Sequence, residues 1–100
     1  MVSMTAVACR IVQWVADDPW PGLVEAELID AAEKSWSIVD TSSVFTAQSL
    51  SSDSAFPIDG VIRCEVVESY GETVLISTAQ PDGVKSGDSS TFVVRASALS

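Results

Sequence analysis

The chain contains no histidine, and Lys and Arg together number only 5 among its 100 residues. The first absence removes the commonest general base and the usual partner of a nucleophilic serine or cysteine. The second leaves 14 acids against 5 bases, a net charge of −9, without the basic footprint that nucleic-acid binding needs. An anionic lipid surface would repel such a chain as well. No apolar run approaches the ~20 residues that span a bilayer, so a cytoplasmic protein is expected. Cysteine is limited to Cys9 and Cys64, with no Cys-x-x-Cys pair. Without histidine a zinc site would need four thiolates or carboxylate help, so both are expected as buried thiols, with no metal and no cofactor. The glycines are too scattered for a phosphate-cradling loop, since neither G-x-G-x-x-G nor the P-loop pattern occurs.

What the chain does have is apolar material, 47% of its residues, enough for a full core and too much for intrinsic disorder. Its length fits a single domain over residues 1–100. Ala6-Val7-Ala8-Cys9 superficially matches a lipoprotein cleavage box. Only eight residues precede Cys9 and none is basic, so a β-strand is expected there instead.

The apolar period is two almost throughout. Val7, Cys9 and Ile11 alternate with Ala8, Arg10 and Val12, predicting a strand over residues 4–15. The breaker cluster Asp17-Asp18-Pro19-Trp20-Pro21-Gly22 turns the chain. Val24, Ala26 and Leu28 then share one face of a strand over 23–30, with Glu25 and Glu27 on the other. Asp30–Lys34 reads as a hairpin connection, although it lacks the expected glycine. Trp36 and Ile38 mark a third strand over 35–40, running on toward Phe45. Residues 46–60 are irregular and Ser-rich, with a weak helical turn at Ala47–Ser52. Strands over 61–68 and 73–79 follow, then a loop through Gly87 and Asp88 and a last strand around Phe92 and Val94. Six short alternating strands predict an all-β domain: an antiparallel, six-stranded small barrel, with a two-layer sandwich as the alternative.

Few residues offer chemistry. Gly87-Asp88-Ser89-Ser90 looks like a serine-hydrolase signature, but Ser89 has no histidine to activate it, and neither Lys34 nor Lys85 completes a Ser-x-x-Lys dyad. Glu25 and Glu27 lie two apart on a strand, about 7 Å along the backbone, a spacing compatible with an acid–base pair. Solvation of an outer face explains them more simply. No catalytic residue is therefore assigned, and the chain is read as a non-enzyme.

Charge distribution is the informative feature. Asp17, Asp18, Glu25, Glu27, Asp30 and Glu33 fall within residues 17–33, where no Lys or Arg occurs. Solubility accounts for such a run, but so does a surface complementary to a basic partner. Trp20, held between Pro19 and Pro21, adds an interface anchor or else a lid folded over the barrel mouth. These seven residues, Trp20 included, form the candidate partner-binding set.

The segments Trp14–Asp18, Pro21–Glu25 and Pro57–Cys64 resemble those of small uncharacterised bacterial proteins. In character the chain is similar to the immunity proteins of bacterial toxin–immunity systems, which are small, cytosolic, often acidic and non-catalytic. That resemblance covers the whole chain in kind and assigns no residue. It implies a protein that neutralises a basic partner such as a toxin nuclease. Two further expectations come from the strands themselves. Trp20, Trp36 and Phe92 could line a ligand-binding barrel mouth. Val12, Trp14, Leu23, Ile29 and Val93, on outward parity, could form a homodimer face.

Overall fold

Strict alternation of apolar and polar residues gives each strand one face to bury, and antiparallel pairing brings those faces together. The computed structural model, which describes residues 3–100, has six strands. They are β1 (Ser3–Ala16), β2 (Leu23–Ile29), β3 (Ser35–Thr41), β4 (Ile58–Ser69), β5 (Thr73–Ser77) and β6 (Thr91–Arg95). All belong to one antiparallel sheet, ordered β3-β2-β1-β4-β5-β6 and curled into a half-barrel. Two meanders, β1-β2-β3 and β4-β5-β6, are thus joined along the central β1–β4 ladder.

The concave face carries the residues that alternation singled out: Val7, Cys9 and Ile11, Val24, Ala26 and Leu28, Ile62 and Cys64, Val74 and Ile76, Phe92 and Val94. Loops rather than a second sheet cover it. The β3–β4 connection contributes the buried Phe45, with Val44, Leu50 and Phe56 packed around it. Val61 N–H donates to Phe45 O at 3.0 Å, an approach that Gly60 permits because a Cβ there would sit 3.0 Å from that same oxygen. The β5–β6 connection contributes Val84, fixed by buried Thr78, whose hydroxyl donates to Val84 O at 2.6 Å. The C-terminal segment contributes Ala96, Ala98 and Leu99.

The two edges of the sheet approach each other without forming a ladder. Ala31 N–H donates to Val93 O at 2.8 Å, and the Ser86 hydroxyl donates to Ser37 O at 2.7 Å. Beneath this seam Trp36 and Phe92 meet edge to face, with ring centroids 5.3 Å apart. The barrel is therefore half formed by strands and finished by loops.

Local departures from the expected elements have identifiable causes. β4 begins at Ile58, earlier than alternation indicates, because Pro57 and Gly60 mask its first turn of pairing with β1. β3 stops at Thr41 and gives way to a 3-10 turn at Ser42–Val44 instead of continuing to Phe45. No helix forms at Ala47–Ser52, where Thr46 Oγ1 accepts from Gln48 N–H and Ser51 and Ser54 bond locally. β5 ends at Ser77, since Thr78 turns into the core to anchor the loop that follows. Cys9 and Cys64 are free, buried thiols. They face Gly60 and Thr5 across the β1–β4 ladder, four residues apart in register and so about 14 Å along it. That distance rules out a disulfide, and burial pushes the thiols up to about 12 and about 11, which makes both poor nucleophiles.

Candidate interaction face

The acidic run does not fold into one patch. It follows the whole of β2, with a turn at either end, and the rise from Leu23 to Ile29 separates those turns by about 20 Å. Each carboxylate then meets a different fate.

Asp17 stays exposed and accepts from the Trp14 indole at 3.0 Å. Trp14 had outward parity by simple alternation, but β1 carries irregularities in its pairing with β2 between Ile11 and Gln13 and between Trp14 and Ala16. A residue inserted at such a bulge reverses the facing of those beyond it. Trp14 consequently packs against the core and over Gly22, where a Cβ would lie 2.1 Å from the ring. It is thereby removed from the outward apolar face assigned to it with Val12, Leu23, Ile29 and Val93.

Asp30 closes the β2–β3 turn. Its carboxylate accepts from Ala32 N–H and Lys34 N–H through one oxygen and from the Trp36 indole through the other, each at 2.9 Å. Those bonds, the Trp36 one foremost, hold its pKa below the ordinary aspartate value. Glu33, at φ 65° in the position a glycine would normally fill, reaches Arg95 at 3.1 Å. Asp30 and Glu33 are thus committed to the fold, while Asp17 serves the opposite turn.

Glu25 and Glu27 project from the convex side of β2. The Glu25 carboxylate accepts from the Ser37 hydroxyl and from Gln13 Nε2, the latter at 2.6 Å. These neutral donors favour the ionised form and lower its pKa, with Ser37 the larger influence. Glu27 accepts from Ser35 Oγ at 2.8 Å and lies directly across from Arg10, which faces Asp59 on its other side. Glu27 is therefore partly balanced, whereas Glu25 faces Gln13 and Val39 and is not.

Pairing the bases shows where the excess charge resides. Arg63 binds Asp82 through two bonds, Nε to Oδ2 at 3.0 Å among them, and Lys34 sits 4.0 Å over the Trp36 ring. Between Arg10 and Arg63 the sequence contains no base except Lys34, which lies at the Asp30 end of the hairpin. The opposite end, built from the β1–β2 turn, the start of β2, the end of β3 and the β3–β4 loop, draws Asp17, Asp18, Glu25, Asp40 and Asp53 and no base from these segments, while exposed Lys85 approaches from the β5–β6 loop, where its neighbour Ser86 bonds to Ser37 O. Arg10 and Asp59 escaped sequence reasoning as a compensating pair, and only the strand register reveals it.

Trp20 stands at this acidic end. At 88% exposure it is neither a lid nor part of a mouth with Trp36 and Phe92, which lie toward the other end of the β2–β3 hairpin. The turn that carries it is closed by Gly22 N–H to Pro19 O at 2.8 Å and tied to the loop beyond β3 by Ser42 N–H to Gly22 O at 2.9 Å. Between Trp20 and that loop runs a cleft of about 340 Å³, edged by Ser43, Thr46, Gln48, Ser49 and Leu50.

Among the described residues no cluster of three or more His, Cys, Asp or Glu could hold a metal ion. No helix among them is long and apolar enough to cross a membrane. Comparison with family models, curated proteins and solved structures finds no match for the chain at any of the three levels.

Proposed function

We propose that this protein is a non-enzymatic binding module that neutralises a basic protein partner, in the manner of an immunity protein against a toxin nuclease. The supporting observation is the acidic end of the half-barrel, where Asp17, Asp18, Glu25, Asp40 and Asp53 gather. There Asp18 is exposed and Glu25 projects from the convex face without a base across from it, whereas Asp30 and Glu33, at the other end, are tied to the Trp36 indole and to Arg95. An acidic surface of this kind steers a basic partner into contact and can fill the cleft in which a nuclease would hold phosphates. A cytoplasmic site of action and a role without cofactor belong to the same reading.

The test is kinetic. With the partner isolated by crosslinking in the native host, association of the purified pair should slow steeply as salt rises. Asp18→Lys and Glu25→Lys should slow it further at low salt, leaving dissociation less affected. An association rate indifferent to salt and to both reversals would overturn the proposal.

A further inference from the structure

The cleft beside Trp20 differs from its surroundings in one respect: the residues edging it carry no charge, although carboxylates crowd the end of the molecule on which it opens. We infer that it receives an arginine side chain of the partner, its guanidinium stacked on the Trp20 indole. This inference rests on the acidic-face reading and names the group that the face selects.

Three observations converge on that group. The indole is 88% exposed on a turn whose backbone is hydrogen-bonded, so its face is open to a partner and the ordering cost on binding is confined to the side chain. An exposed indole attracts cations through its π face, and arginine, being planar, stacks there better than a compact ammonium. The opposite wall includes Ser43, Gln48 and Ser49, whose side-chain oxygens are neutral acceptors suited to guanidinium donors, while Thr46 Oγ1 already accepts from Gln48 N–H. No carboxylate edges the cleft. A strongly hydrated lysine ammonium would lose its water there without gaining an ion pair, whereas the weakly hydrated guanidinium loses less. Asp17 and Asp18, in the same turn as Trp20, supply the long-range attraction without entering the contact.

A second copy of this chain is a poor occupant, because a net charge of −9 on each copy would bring like-charged ends together. An apolar side chain would pack on Trp20, Pro21 and Leu50 but leave the Ser43, Gln48 and Ser49 acceptors without a donor.

The probe is a short neutral-capped peptide with two arginines spaced by serines, compared with its lysine and citrulline counterparts. The readout is the indole N–H resonances of the protein. Those of Trp14 and Trp36 are engaged by Asp17 and Asp30, and Trp20→Phe identifies the third. The arginine peptide should shift the Trp20 resonance saturably and bind several-fold more tightly than the lysine peptide, with the citrulline peptide weakest. Trp20→Ala, at an exposed position, should weaken the arginine peptide about tenfold. Gln48→Ala should narrow the preference for arginine over lysine.

A Trp20 resonance that ignores the arginine peptide, or equal binding of lysine and arginine, would overturn the inference. So would a natural partner that binds Trp20→Ala as tightly as wild type while still losing affinity to Glu25→Lys. That last result would leave the acidic-face reading standing, whereas insensitivity to Glu25→Lys, Asp18→Lys and salt would remove both.

Discussion

A single residue can be acidic for reasons of folding or of recognition, and Asp30 illustrates the first. Its side chain does the work that a glycine-containing hairpin turn would otherwise do. It gathers two backbone N–H groups and the Trp36 indole, while Glu33 N–H bonds to Asp30 O at 2.9 Å and Glu33 accepts φ 65°. Replacement by Asn keeps one carbonyl acceptor but presents a second donor to the indole. Asp30→Asn should cost about 1 kcal/mol at neutral pH, less than bonds to charged groups usually contribute because the site is open to water. The pH dependence follows from the direction of the shift. Folding lowers this pKa, so the stabilisation is fully present above the unfolded value of about 4. It is lost as pH falls through the lower folded value. Urea unfolding of both proteins at pH 7 and pH 3 should show the gap between them narrow in acid. A constant gap would mean that the ionised carboxylate contributes nothing beyond its shape.

Elements were more legible in the sequence than the contacts between them. Alternation identified six strands and nearly every inward side chain of β2, β5 and β6, since each is short and keeps one parity from end to end. It failed at Trp14 because a bulge has no signature in a list of apolar positions. It could not find Phe45 or Val84, which complete the core from loops that have no period to read. The candidate site was legible as a run of acids but not as a surface. Asp17 and Asp30 look the same as Asp18 in sequence, and only the Trp14 and Trp36 indoles distinguish them.

One element has a role that its sequence hides. β2 pairs with β1 from Arg10 onward, leaving the same edge of β1 open before it. The C-terminal segment fills that gap through a Val7–Leu99 bridge, Ser100 N–H to Ala6 O at 3.0 Å and the Thr5 hydroxyl to Ser100 O. Deleting Leu99 and Ser100 should therefore cost about 2 kcal/mol through lost packing and edge pairing. For a domain of this size the melting temperature should fall by about 10 °C. The uncovered edge should also make the variant associate as its concentration rises. Calorimetry and sedimentation would check the two effects, and a variant as stable and monomeric as the parent would show that the segment only rests on β1.

For the molecule as a whole, opposing electrostatic terms decide how it responds to salt. A net charge of −9 is carried on a body with a radius of gyration of 13.2 Å and extents of 40 × 25 × 24 Å. At low ionic strength the screening length exceeds the distance between neighbouring carboxylates, so the acidic end repels itself. Against this stand the ion pairs Arg63–Asp82 and Arg95–Glu33, both with exposed arginines. Exposed pairs are worth at most about 1 kcal/mol each, and salt weakens them too. The repulsion involves more groups, so its screening should win, and the urea midpoint should rise as salt increases from low to physiological strength. The same argument fixes the behaviour of Asp18→Lys. It should stabilise the fold at low salt by relieving repulsion, with the advantage shrinking as salt is added, while slowing association with a basic partner. Opposite signs for stability and binding in one substitution would show that the acidic end is kept at a cost to the fold. If Asp18→Lys instead destabilised the free protein at every salt concentration, local contacts rather than the collected charge would govern that end of the molecule.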